Sequence, residues 1–318
     1  MIGLLYHLKG KITMDIITKF DRIEDILGSP DRRYFGNGYT QVKYFQKVKH
    51  ITFEGIESVF EINYPKSWST KKNIDSIKPH FSSLDSIVLA VKLVSDFLRE
   101  ELVIEEDTIN NALISSFSVK AGKSLVEDLK NVTAKLSLSS DDKLAFKGRI
   151  ASFSVELVVD LFDDSKQLKI NSGEDYYFSN FKTVDTKLTD ISVKTELNSI
   201  SATTSFSYSD NFSGIESAHL LKKRLPSILD HIIVTAELTE VLHSCLDRTP
   251  REFSKTLIMR KIKFLRNLSN DSQLSEGNIK VQVLKTKIVP LKGKNVRVSD
   301  MISKLGESTL IYSVAQEL

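Results

Sequence analysis

The chain has 318 residues, with 44 Lys and Arg against 41 Asp and Glu. That net charge of +3 is too small an excess for a dedicated nucleic-acid binder. It is 41% hydrophobic and 27% charged, an ordinary globular composition, and no run approaches the ~18 uninterrupted apolar residues of a membrane span, so a soluble protein is expected. The lone Cys245 excludes an internal disulfide and a thiolate zinc site, which fits a reducing cytoplasm.

In chain order, Met1 to Met14 alternates apolar and polar residues like a strand. It lacks the apolar region and small-residue cleavage site of a secretory signal, so export by that route is not expected. The turn Phe35 to Tyr39 (FGNGY) has neither the Lys-Ser/Thr ending of a P-loop nor dinucleotide-motif spacing, and reads as a simple turn. Alternating strands follow near Tyr39 to Phe53 and Glu57 to Tyr64, then a helix over about Ser83 to Leu102. Its middle, IVLAVKLV, is apolar almost all round, so it must be enclosed on most sides. Strands resume near Ala112 to Lys120, Asn131 to Ser137 and Leu144 to Asp160, and the polar stretch Asp163 to Gly173 reads as a linker. Beyond it come strands near Lys187 to Glu196 and Ser199 to Tyr208, and a second helix over about Ser227 to Ser244. Later strands lie near Ser254 to Leu265, Asn278 to Val289, Lys294 to Val298 and Thr309 to Val314. The basic clusters Met259 to Arg266 and Leu284 to Val298 alternate at period two, as strands with one solvated face do.

The order repeats because the sequence repeats. LDSIVLAVKL (Leu84 to Leu93) matches LDHIIVTAEL (Leu229 to Leu238), placing Asp85 and Asp230 145 residues apart. NYPKSWS (Asn63 to Ser69) matches SYSDNFS (Ser207 to Ser213), pairing Tyr64 with Tyr208 and Trp68 with Phe212 at a spacing of 144. YFGNGYTQV (Tyr34 to Val42) matches YFSNFKTV (Tyr177 to Val184) at 143 falling to 142. A buried helix inside a β-rich unit, twice over, predicts an α+β double hotdog: two curved antiparallel sheets, each wrapping a long central helix. The units span 1–162 and 174–318 with the linker at 163–173, and a monomer with an internal pseudo-dimer or a homodimer is expected. The competing architecture is a pair of other α+β domains packed helix on sheet.

Candidate site residues cluster at the helix starts. Asp85 and Asp230 each follow a serine by three residues, Ser82 and Ser227, which is a capping pattern beside the positive end of a helix dipole. The same carboxylates are the candidate catalytic acid/bases. PSILDHII (Pro226 to Ile233) resembles the His-Pro-x-x-Leu-Asp helix start of polyketide-type dehydratases, but Leu225 stands where that motif has its histidine. Dehydration by a His-Asp pair is therefore not supported. His80, just before the first helix, is the candidate base, with Ser82, Ser83 and His231 as candidate substrate contacts and Tyr64 and Trp68 as candidate walls of an acyl tunnel. The six histidines (7, 50, 80, 219, 231 and 243) show no zinc-enzyme spacing. No Gly-x-Ser-x-Gly elbow is present, so neither a metal nor another cofactor is expected.

LGSPDRRYFGNGY (Leu27 to Tyr39), YPKSWSTK (Tyr64 to Lys71), PHFSSLDSIVLAVKL (Pro79 to Leu93) and SFSVKAG (Ser116 to Gly122) together resemble the avirulence protein D family, most clearly over about the first 125 residues. The resemblance implies an acyltransferase or condensing enzyme. It would join a β-ketoacyl thioester, of coenzyme A or acyl carrier protein, to a ketose such as xylulose, giving syringolide-like acyl glycosides; A-factor synthase uses related logic. The alternatives are a non-catalytic double hotdog that binds an acyl chain or a protein, and a hotdog thioesterase or dehydratase.

Overall fold

The computed structural model describes residues 17–66, 68–71, 78–140, 143–162, 169–170, 173–209, 211–222, 225–267, 276–291 and 293–318. The expected N-terminal alternation at 1–14 and most of the expected linker at 163–173 lie outside the described residues.

The first half runs β1 (Ile17–Phe20), α1 (Glu24–Leu27), β2 (Lys43–Thr52), β3 (Gly55–Asn63), α2 (Ser83–Glu100), α3 (Glu106–Asn111), β4 (Leu113–Lys120), β5 (Val132–Ser140), β6 (Leu144–Ile150) and β7 (Phe153–Asp160). The second runs β8 (Glu174–Asp175), β9 (Asp185–Lys194), β10 (Ser199–Ser207), β11 (Phe212–Ser213), α4 (Ser217–Leu221), α5 (Ile228–Asp247), β12 (Ile258–Arg266), β13 (Glu276–Leu291), β14 (Lys294–Leu305) and β15 (Ser308–Glu317).

Thirteen strands form one sheet in the order β1-β9-β10-β13-β14-β15-β12-β4-β7-β6-β5-β3-β2, with antiparallel pairing throughout. Read outward from the central β4–β12 pair, the halves mirror each other: β7-β6-β5-β3-β2 on one side and β15-β14-β13-β10-β9 on the other. At the join Phe117 lies opposite Phe264 and Val119 opposite Ile262. β1 breaks the symmetry by pairing with β9, so residues 17–20 extend the sheet of the second half.

α2 packs against β3, β5, β6 and β7, and α5 against β9, β10 and β13. Strands that alternate buried and exposed positions, such as β7, supply one apolar face, while α2 buries Leu84, Ile87, Val88, Leu89, Val91 and Leu93 around nearly its whole circumference. Enclosure on this scale explains why both helices are apolar beyond a single stripe.

Several expectations shift locally. Residues 38–41 form a 3-10 turn rather than the start of a strand; Gly38 is required there because a Cβ would lie 2.1 Å from the Trp68 carbonyl oxygen. The expected strand Leu144 to Asp160 is the hairpin β6–β7, turned at Ala151 with φ of 50°. β14 continues to Leu305, past the expected Val298. The turns before β2 and β9 correspond at a spacing of 142: the Tyr39 amide donates to the Tyr34 carbonyl and the Phe181 amide to the Tyr176 carbonyl, 2.9 Å each. The counterpart of Tyr34 is therefore Tyr176, not Tyr177. Tyr39 and Phe181, matching residues of the two halves, stack on each other at 6.0 Å and 16°.

Candidate functional site

The two helix starts are built alike. Ser82 caps α2 and Ser227 caps α5, each with a reciprocal capping box to Asp85 or Asp230. Asp85 is fully buried; Tyr44 donates to its Oδ1 (2.8 Å), and Tyr64 and the Ser82 amide (2.7 Å) donate to Oδ2. Asp230 is 2% exposed and accepts from Tyr176 (3.0 Å), Tyr208 (2.8 Å) and the Ser227 amide (2.9 Å). Burial raises both carboxyl pKa values, and these donors act in the opposite sense. Burial also raises the pKa values of Tyr44, Tyr64, Tyr176 and Tyr208, so the phenols keep their protons and remain donors. The Tyr34 hydroxyl links Tyr64 (3.4 Å) to the Ser82 hydroxyl (3.1 Å).

In front of α2 this network meets a cleft of about 110 Å³. The first half contributes Trp68, Lys71, His80, Ser82 and Ser83; the second contributes Thr239 and Glu240 of α5, Arg251, and Met259 of β12. His80 and Trp68 meet edge to face at 5.6 Å, and His80 Nδ1 lies 3.3 Å from the Lys78 carbonyl oxygen. Ser83 donates to the Met259 carbonyl (3.3 Å), tying α2 to β12 across the halves. Arg251 donates to Glu240 Oε1 (3.0 Å) and to the carbonyls of Thr70 and Arg32 (3.2 Å each). Lys71 is 8% exposed and donates to the Ser254 carbonyl (2.9 Å).

The matching place before α5 is filled. Glu216 sits in a left-handed conformation with its carboxylate buried, accepting from the Ile114 amide (3.1 Å), Tyr177 and Arg266. Arg266 also donates to the Pro226 carbonyl (2.7 Å), which closes this helix start with side chains.

Of the residues singled out in the sequence, His80, Ser82, Ser83 and Trp68 line the cleft together. Asp85 and Tyr64 stand behind it, and Asp230 belongs to the filled end. The expected substrate contact at His231 finds different surroundings: the ring is fully buried, with Nε2 facing the Ser303 hydroxyl (3.0 Å) and Nδ1 the Ser308 hydroxyl (2.9 Å). Burial, then the Arg266 charge, pushes its pKa down to about 3, so it stays neutral. Lys71, Glu240 and Arg251 are not among the expected site residues; Lys71 closes the YPKSWSTK block, Glu240 and Arg251 come from segments with no motif, and the packing of one half on the other brings the three into one cleft.

A second cavity, of about 620 Å³, lies along the α5 residues Ile233, Val234 and Glu237, with Arg33, Phe35 and Lys182 in its walls. Phe35 lines both cavities. Among the described residues, no group of three or more His, Cys, Asp or Glu is placed to hold a metal, and no helix is long and apolar enough to cross a membrane.

A tandem α+β protein with one large antiparallel sheet, two buried helices and a cleft at their junction is the class these observations define. The chain belongs to the avirulence D family: the family model for the Pseudomonas avirulence D protein (AvrD) matches residues 18–154 and again 149–318, one match per half. No curated protein matches the sequence. Among solved structures, the chain is similar to a tesB protein of Mycobacterium avium subs paratuberculosis, at 5% identity and a TM-score of 0.44 over 88% of this chain and 96% of that one. It is also similar to a conserved protein with hot dog fold from Alicyclobacillus acidocaldarius, at 7% identity and a TM-score of 0.38 over 89% and 97%. A third is the acyl-CoA thioesterase II TesB2 of Mycobacterium marinum, at 7% and 0.36 over 74% and 90%.

Proposed function

We propose that the chain is a double hotdog, with units 1–162 and 174–318 about the linker 163–173, that joins a β-ketoacyl thioester to a ketose to form an acyl glycoside. The observation that carries this reading is the cleft itself. It places a histidine and two serine hydroxyls at the start of a long helix, against a wall supplied by the other half.

Acyl transfer to a sugar hydroxyl needs a base for the hydroxyl and donors for the tetrahedral oxyanion. The capping box occupies the Asp85 amide and leaves the Ser83 and Leu84 amides without acceptors inside the helix, where the dipole favours negative charge. In this reading those amides polarise the thioester carbonyl and His80 takes the hydroxyl proton. Trp68 and Tyr64 shape the acyl end. Asp85 is a positioning residue, acting through Tyr64, Tyr34 and Ser82, and Asp230 repeats that structural part at the filled end.

The test incubates purified protein with a medium-chain β-ketoacyl thioester, with and without xylulose, following thiol release and product mass. Sugar-dependent release with an acyl-sugar mass is expected, and His80→Ala lowers it by about 10²- to 10⁴-fold with unchanged folding. Sugar-independent release would make the protein a thioesterase, and no release with any ketose would leave an acyl-binding module.

A further inference from the structure

The cleft contains a group that this mechanism leaves unused. Lys71 is the one lysine among the described residues that is buried, and it lines the cleft beside His80 and Arg251. Its ammonium has neutral partners, the Ser254 carbonyl at 2.9 Å and the Ser254 hydroxyl at 3.5 Å. Among the described residues no carboxylate lies within salt-bridge distance of it, and the Glu240 carboxylate in the same cleft is engaged by Arg251. Arg251 is itself fixed, donating also to the carbonyls of Thr70 and Arg32.

A lysine held out of water beside a second cation is the arrangement that turns a side-chain amine into a nucleophile for carbonyl compounds. We infer that Lys71 condenses with a ketone carbonyl in the cleft to form an imine. The neutral amine attacks the carbonyl carbon and a C–N bond forms while a proton passes to the oxygen. The carbinolamine then loses that oxygen as water, with the second nitrogen proton. No oxidant or reductant is consumed, and the protonated imine makes the neighbouring carbon acidic, which the ring closure of a β-ketoacyl sugar requires. The inference rests on the reading above that a ketone-bearing substrate enters this cleft.

The electrostatics agree in direction. Burial, opposed by Glu240 and reinforced by Arg251 and Lys255, brings the Lys71 pKa down to about 8. At pH 8 about half of this amine is then neutral, against under about one in a hundred for an ordinary lysine. The other ionisable side chains of the cleft are Tyr34 and His80 from the first half and Glu240, Arg251 and Arg260 from the second.

The ketone belongs either to the acyl donor or to the sugar, and two arms separate these sources. The full-length protein is incubated with acetoacetyl coenzyme A or with D-xylulose, each with cyanoborohydride, and the adduct is mapped by peptide mass. A single reduced adduct on Lys71 in one arm is expected, with a rate that rises through pH 8 and is lost in Lys71→Arg, which keeps the cation and a donor to Ser254. Mapping in the wild-type protein reads the site even if that variant fails to fold. No adduct, or labelling spread over surface lysines, overturns the inference. Because trapping needs no turnover, a labelled Lys71 without acyl-sugar product would sink the synthase reading alone, and product without labelling would sink this one alone.

Discussion

Asp85 accepts from three donors, the hydroxyls of Tyr44 and Tyr64 and the Ser82 amide. Removing the carboxylate in Asp85→Ala strands the hydroxyls of Tyr44 and Tyr64 in the interior and breaks the capping box. A loss of about 2–4 kcal/mol in denaturant unfolding is expected, more than a cap alone would give. Glu237, like Asp85, is perturbed upward by burial. Burial, opposed by Arg33, raises its carboxyl from 4.5 to about 7. Between those values the folded chain holds a proton that the unfolded chain has released, so this group makes stability fall as pH rises from about 4.5 to about 7. Unfolding midpoints of wild type and Glu237→Gln across this window check the sign: the variant's profile is flatter. A profile as steep as wild type's would assign the dependence to other groups.

At the scale of elements, the two capped helices are separable by function. Ser227→Ala removes a cap at the filled end and is expected to cost about 1 kcal/mol with activity retained; Ser82→Ala costs a similar amount and also lowers turnover, since Ser82 lines the cleft. Unfolding curves beside the thiol-release assay distinguish the two. These helices were also the most legible elements in the sequence. A Ser-x-x-Asp start ahead of a long apolar run fixes a boundary chemically, and the observed Ser83 and Ile228 starts lie within a residue of those expected. The β6–β7 turn was not legible, because Ala151 and Ser152 offer none of the Gly, Asn or Pro signals of a tight turn. The short helices α3 and α4 have no periodicity to detect. In the site, His80, Ser82, Ser83 and Trp68 were readable because they surround one helix start. Lys71, Glu240 and Arg251 were not, since their proximity exists only after the halves pair. The filled second site was equally hidden: Glu216 and Arg266 look in sequence like ordinary surface charges.

At the scale of the whole molecule, the repeat is symmetric in backbone and reversed in charge. Aligning the helices places Lys92 of α2 opposite Glu237 of α5, and aligning the turns places Arg33 opposite Asp175. Arg33 of the first half pairs with Glu237 of the second. Asp175 of the second half lies 3.6 Å from Arg99 of α2 and is attracted by Lys92. Each contact is thus favourable only when unlike halves meet. Two first halves would set Arg33 against Lys92, and two second halves would set Asp175 against Glu237, a like-charge penalty in a buried place. The charge reversal specifies pairing of a first half with a second half over pairing of like halves. Arg33→Glu or Glu237→Arg alone is expected to destabilise by about 3–5 kcal/mol, the range for leaving a buried charge without its partner. The double variant recovers most of that, because the ion pair is restored with its direction swapped. A double-mutant cycle with a coupling of more than about 1 kcal/mol establishes the pair as a unit, whereas simple additivity would mean that Arg33 and Glu237 are tolerated separately and that the halves are matched by shape alone.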